Sequence, residues 1–194
     1  MFEALSPDSW IPEIPGDHPA LNLFSLYRGS NYVDLKDFSI EFAFPLSVRC
    51  AGEDVYADLL VVVDVGNGPT TQSPHFNAPP AVRLDLSLTL NGITYQASAI
   101  DSVFEDVMIS LQKSLPSNVH LRCCFGCAFS DYSVYGNQFF GSMMCFRNLK
   151  PEYLRVQNKS QYLGVMDDER VVTVRETHYC PEFEVRVPGT GYRG

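Results

Sequence analysis

Apolar and polar residues alternate along much of the first half of the chain, which is the pattern of half-buried β-strands. Residues 38–44 form the first such stretch, with an apolar side chain at every second position. Pro45 interrupts it, so we expect an edge position or a bulge there. A second alternating stretch covers residues 55–65. Leu60 and Val62, on its other face, predict that its centre is covered on both sides.

The strongest hairpin signal lies in residues 82–100. Apolar side chains alternate strictly with polar ones up to Leu90, and Asn91-Gly92 is a preferred type I′ turn. A two-residue turn pairs Leu90 with Ile93, and the following pairs also place apolar beside apolar. Because the register and the hydrophobic pattern agree, we predict a hairpin with one buried face.

One amphipathic helix is predicted after the hairpin. Ser102 and Glu105 have the spacing of a capping box, and apolar residues then recur at helical spacing. Pro116 ends the pattern. We expect the apolar side of this helix to pack against the sheet.

Composition and charge narrow the functional classes. The chain has 194 residues, is 45% hydrophobic and carries a formal net charge of −9, with most of the excess acid before Pro116. Lys and Arg form no cluster, which disfavours binding to nucleic acid or to an anionic membrane. The sequence shows neither a secretory signal nor a long apolar run, so we expect a cytoplasmic protein with no membrane partner.

Six cysteines carry the candidate chemistry. Cys123 is in phase with the apolar side of a short strand, so we expect it to be a core residue. Cys124 and Cys127 form a CxxC hook, a spacing at which two thiolates can face one metal ion. In a reducing cytosol, clustered cysteines more often bind metal than form disulfides. Cys145 and Cys180 complete a predicted set of four ligands for structural zinc.

Other interpretations of the cysteines stay open. Cys123 or His178 could replace one of the four ligands, or the thiols could be buried without metal. A redox or catalytic thiol at Cys124 and Cys127 is the third possibility. The sequence contains no HExxH motif and no histidine that begins an HxE motif, so it does not predict a catalytic zinc site.

Aromatic residues are interspersed with small polar ones between the hook and Cys145. They are Tyr132, Tyr135, Phe139 and Phe140. We expect them either to pack around the metal loop or to form a recognition surface, since tyrosine-rich loops are favoured at interfaces.

Three blocks of the second half resemble a known family. They are CCFGCAFSDYSVYG, GSMMCFR and YCPEFEVRVPGTGYRG. They are similar to an uncharacterised bacterial family of domains of unknown function, which has a CxxC, an SDYSPYG-like block, a Cys-Phe-Arg and a Cys-Pro-Glu-Phe block ending in GTGYRG. Val134 stands where that family has proline. The resemblance covers residues 101–194 well, implies bacterial origin and the same four cysteines as a set, and implies no activity.

Together these features predict an α+β fold: an antiparallel β-sheet or sandwich, one amphipathic helix and a zinc-clasped cysteine-rich C-terminal part. We expect residues 1–116 to form a β-rich part ending in the helix, and residues 117–194 the cysteine-rich part, packed as one domain. Four thiolates without an adjoining acid or base predict a non-catalytic zinc-stabilised binding or adaptor protein. Its partner would be a protein, for instance in immunity or defence against a toxin or phage. The alternative is a thiol-dependent enzyme or redox protein using the CxxC.

Overall fold

A computed structural model describes residues 25–28, 33–66, 81–135 and 141–192. Within these residues the secondary structure runs in the order β1 (Ser25–Arg28), β2 (Val33–Lys36), β3 (Phe38–Cys50), β4 (Glu53–Val65), β5 (Val82–Leu90), β6 (Ile93–Ile100), α1 (Phe104–Ser114), β7 (Val119–Leu121), β8 (Ser130–Tyr132), β9 (Ser142–Cys145), α2 (Lys150–Tyr153), α3 (Lys159–Met166) and β10 (Val172–Arg175). The fold class is therefore α+β, as the sequence predicts.

The largest sheet has five antiparallel strands in the order β6-β5-β4-β3-β7. The predicted hairpin is confirmed, because β5 pairs with β6 in the register Leu90↔Ile93. Asn91 and Gly92 both have positive φ, 51° and 79°, as a type I′ turn requires. Local turn chemistry and hydrophobic alternation were sufficient to predict this register.

The edge position predicted at Pro45 is also confirmed. On one side, β3 pairs with β4 along its whole length. On the other, β7 pairs only with the end of β3, from Val48 to Cys50. Within the described part of the chain, no strand pairs with β3 at Pro45 on the side opposite β4, so the missing N–H of proline removes no hydrogen bond there.

Helix α1 packs on the core face of the sheet against β5 and β6. Its apolar stripe is buried, including Phe104, Val107 and Leu111. The predicted capping box is wrong: α1 begins at Phe104, and no side chain caps its N-terminus. The Ser102 hydroxyl instead donates to the Asp106 carboxylate at 2.6 Å, because the helix starts one residue later than a Ser102 cap requires.

The outer face of β4 is less covered than the sequence suggests. Leu59 and Val61 are fully buried on the core face, whereas Leu60 and Val62 are half-buried on the other. The centre of the strand is therefore buried on the face that α1 and the core cover, and partly covered on the other.

Strands β1 and β2 form a separate two-stranded sheet, and the C-terminal part adds a three-stranded sheet and two helices that the sequence patterns did not predict. Strands β10, β9 and β8 form an antiparallel sheet in that order. Asn158 caps α3, where its side chain accepts the Gln161 N–H at 3.0 Å. A second hydrophobic cluster forms around the stacked rings of Phe146 and Tyr153, with Tyr162 against their edge. Among the described residues, no helix is long and apolar enough to cross a membrane.

Candidate functional site

The CxxC hook is a tight turn at the end of β7. Residues 124–126 form one turn of 3₁₀ helix, closed by the Cys127 N–H donating to the Cys124 carbonyl at 3.2 Å. A Cβ on Gly126 would lie 2.9 Å from the Leu121 carbonyl oxygen, so the turn has no room for a side chain there. The sequence therefore folds locally into the short turn that a CxxC hook requires.

Two distant segments are held against the hook by backbone hydrogen bonds. The Cys124 N–H donates to the His178 carbonyl at 3.0 Å, and Cys127 forms an isolated antiparallel bridge with Val185. Cys180 lies in the turn between these two contacts. Cys145 ends β9 and pairs with Ser130, just beyond the hook. Three segments thus converge at the predicted site.

All four predicted ligands are buried free thiols. Cys124, Cys127, Cys145 and Cys180 are 1%, 4%, 2% and 3% exposed. The Cys124 thiol is hydrogen-bonded to Cys145, and Cys127 interacts electrostatically with both Cys145 and Cys180. Nevertheless, the described residues contain no group of three or more His, Cys, Asp or Glu side chains placed to hold a metal ion. The four thiols are brought to one region, but their sulfur atoms do not form a ready-made metal cage.

Hydrogen bonds and burial give the four thiols different pKa values. The hydrogen bond between Cys124 and Cys145 raises the pKa of Cys124 and lowers that of Cys145 to about 6. The Arg147 N–H also donates to the Cys145 sulfur. Burial raises the pKa of Cys127, while the N–H groups of Phe129 and Glu184 oppose that shift. Backbone N–H groups aimed at sulfur stabilise a thiolate, the form that binds metal.

The two alternative ligands lie in different surroundings. Cys123 is 1% exposed and belongs to the core of the large sheet, as predicted. Burial raises its pKa to about 12. His178 has an exposed side chain, and its carbonyl is the group that meets the hook. Cys50, the remaining cysteine, is half-buried at the end of β3.

A buried polar network beside the hook was missed by the sequence analysis. The Asp131 carboxylate, 3% exposed, accepts the Tyr153 hydroxyl at 2.9 Å. The Arg186 guanidinium donates to the Cys127 carbonyl at 2.8 Å and to the Ser130 carbonyl. The sequence does contain a signal for this network, because a single charged residue within an apolar segment, such as Asp131 close to Phe129, indicates a buried and paired charge. This network ties the last segment of the chain to the hook.

The aromatic segment is split between the two predicted roles. Tyr132 is buried, and its hydroxyl donates to the buried Glu176 carboxylate at 2.5 Å. Tyr135 is 77% exposed. Phe139 and Phe140 lie outside the described residues. Packing around the site therefore accounts for Tyr132 and leaves Tyr135 on the surface.

Comparison with known families decides where this chain belongs. The model of a family of unknown function, DUF6304, matches residues 1–130. The chain belongs to this family. The DUF6304 match includes Cys124 and Cys127, but Cys145 and Cys180 lie beyond it, as do the GSMMCFR and CPEF blocks. Membership in DUF6304 agrees with the expected uncharacterised family and assigns no activity. Comparisons with curated proteins and with solved structures gave no match.

Proposed function

We propose that this chain is a non-catalytic binding or adaptor protein whose fold is stabilised by a zinc ion held by Cys124, Cys127, Cys145 and Cys180. One observation carries the proposal: four buried free thiols from three chain segments converge between two hydrophobic clusters. Cys124 belongs to the cluster under the large sheet, and Cys127 to the cluster around Phe146. A metal at this boundary would join the two clusters.

The chemistry of the donor set supports zinc. Thiolates are preferred zinc ligands, and structural zinc sites commonly use four cysteines. The N–H groups directed at the sulfur atoms of Cys127 and Cys145 would supply the outer hydrogen bonds that such ligands need. Because no three-ligand group is present among the described residues, the side chains must close in when zinc binds. Zinc would supply folding free energy rather than reactivity.

Burial argues against the alternative, a thiol-dependent enzyme or redox protein. Reactive cysteines are partly exposed and have a low pKa, but Cys124 and Cys127 are almost fully buried and their pKa values are raised. Cys145 has a low pKa, yet it is only 2% exposed. His178 contacts the hook through its backbone carbonyl and has an exposed side chain, and His120, just before the hook in sequence, is half-buried. A protein partner, rather than a substrate, is therefore the proposed ligand of this chain.

Metal analysis and thiol titration of the native protein test the zinc proposal. We expect one zinc per chain, slow thiol modification before denaturation, and a lower melting temperature after a strong chelator is added. Cys180→Ser should lose the zinc, whereas Cys50→Ser is the matched control and should keep it, because Cys50 lies outside the set. A metal-free native protein with one rapidly modified cysteine would instead support the thiol enzyme.

A further inference from the structure

The outer face of the large sheet carries an apolar strip between β3 and β4. Cross-strand pairing places Leu60 beside Ala43, and the neighbouring pair places Asp58 beside Pro45. Val62 and Tyr56 extend the strip along β4. Leu60 and Val62 are half-buried, Ala43 and Pro45 are exposed, and Tyr56 is 69% exposed. We call these five residues, Ala43, Pro45, Tyr56, Leu60 and Val62, the outer strip.

Carboxylates border the outer strip. Glu41 pairs with Val62, Val62 pairs with Asp85, and Asp64 follows along β4. Asp58, between Tyr56 and Leu60, makes four carboxylates. Arg83 forms an ion pair with Asp85 at 2.9 Å, and beyond Tyr56 the guanidiniums of Arg49 and Arg122 both pair with Asp54 at 2.6 Å. Among the described residues, the ion pairs of this face do not include Glu41, Asp58 or Asp64. Apolar side chains and carboxylates thus share this face, and among the described residues its charges outside any ion pair are the carboxylates of Glu41, Asp58 and Asp64.

The carboxylates of this face limit which kinds of molecule can bind to it. A second copy of the chain would bring the same carboxylates together, and nucleic acid or an anionic membrane would be repelled. A protein segment that carries apolar residues on one side and Lys or Arg beside them is complementary in both respects. We propose that the outer strip docks such a basic amphipathic segment of a protein partner. This inference rests on the proposed binding function and names its surface and the chemistry of its partner.

Tyr56 is the expected anchor of the contact. Exposed tyrosines offer a large, stiff contact area and are enriched among the residues that dominate binding energy. Its ring lies 6.4 Å from that of Tyr179, which is in turn stacked on the buried Arg122 guanidinium with 4.6 Å between that group and the ring centre. The Tyr56 ring therefore already has an aromatic neighbour before any partner binds.

A labelled amphipathic peptide of about 14 residues, with leucines on one side and lysines on the other, provides the probe. Fluorescence anisotropy with the full chain should show binding that weakens as salt rises from about 0.05 to about 0.5 M. The double variant E41K/D58K should bind at least about ten-fold more weakly. Tyr56→Ser should also weaken binding, by about five-fold or more, while leaving the salt dependence unchanged.

The control variant D167K/E169K changes the net charge by the same amount at exposed positions beyond α3. It should alter the affinity less than about two-fold, because long-range attraction is screened. Equal weakening by both double variants, or equal binding of a leucine and glutamate peptide, would overturn the proposal. So would absence of binding to the unmodified chain. Zinc content is measured on the same samples, so failure of this docking surface is distinguishable from failure of the zinc site.

Discussion

Gly191→Ala is expected to destabilise the protein through one identifiable collision. A Cβ at position 191 would lie 2.7 Å from Cε1 of Tyr153 and 2.8 Å from both Cζ and the hydroxyl oxygen. The Tyr153 ring cannot easily move away. It is fully buried, it stacks on Phe146 with 4.4 Å between ring centres, and its hydroxyl donates to Asp131. The substitution must therefore displace either this ring or the end of the chain.

The magnitude follows from two additive terms. Gly191 has a φ of +70°, and an L-residue in this left-handed region costs roughly 1–2 kcal/mol. Overpacking a well-packed site costs a further 1–3 kcal/mol or so, and we therefore expect a total loss of about 2–5 kcal/mol. Gly189→Ala is the matched control, because its φ is +81° but a Cβ there meets nothing within 4 Å. It should carry the backbone term alone, about 1–2 kcal/mol.

Urea denaturation followed by circular dichroism measures both free energies of unfolding. The difference between the two variants isolates the contact with Tyr153 and should be about 1–3 kcal/mol. If the chain end is displaced instead, the ring of Tyr192 loses its contact with Tyr162, 4.8 Å away, and limited proteolysis should cut near the C-terminus. Equal free energies for the two variants would refute this account of the packing.

Three further predictions use single positions. Gly164→Ala should raise the free energy of unfolding by about 1 kcal/mol in urea titrations, because Gly164 is inside α3 and a Cβ there meets nothing within 4 Å. Arg122→Met should lower the melting temperature more than Arg49→Met. Both arginines form an ion pair with Asp54, but the Arg122 side chain is 6% exposed and that of Arg49 is 30% exposed. A larger decrease for Arg49→Met would contradict this prediction. Hydrogen bonds from Arg170 lower the pKa of Asp168 to about 2. The stability that Asp168 contributes is therefore complete above the usual carboxyl pKa and lost as pH falls towards 2, so Asp168→Asn should lower the melting temperature at pH 7 and have no effect near pH 2.

The parts of the fold that sequence predicts are those fixed by neighbours along the chain. The hairpin of β5 and β6 needs only a left-handed Asn91-Gly92 turn and a two-residue period. The turn of the CxxC hook is similar, because it depends only on residues 124–127. In these cases the local preference and the final structure agree.

The three-stranded sheet and its core depend on contacts that leave no period in the sequence. Tyr132 meets Glu176, and Asp131 meets Tyr153, through side chains from separate elements. The contact of Cys124 with Cys145 is of the same kind, so the sequence could name the four thiols but not which sulfur atoms touch. One local signal was overlooked: Asn158, with a glutamine three residues later, has the spacing of a capping box at the start of α3.

The separation of Cys180 from the CxxC hook, 53 positions along the chain, has a consequence during synthesis. A ribosome adds residues in order, so the hook leaves the exit tunnel well before the segment that covers it. Before His178 and Val185 are synthesised, their backbone contacts with Cys124 and Cys127 cannot form. During this time the two thiols are open to oxidants and to free metal ions. A product truncated before residue 178 would lack both backbone contacts and leave Cys124 and Cys127 without this cover.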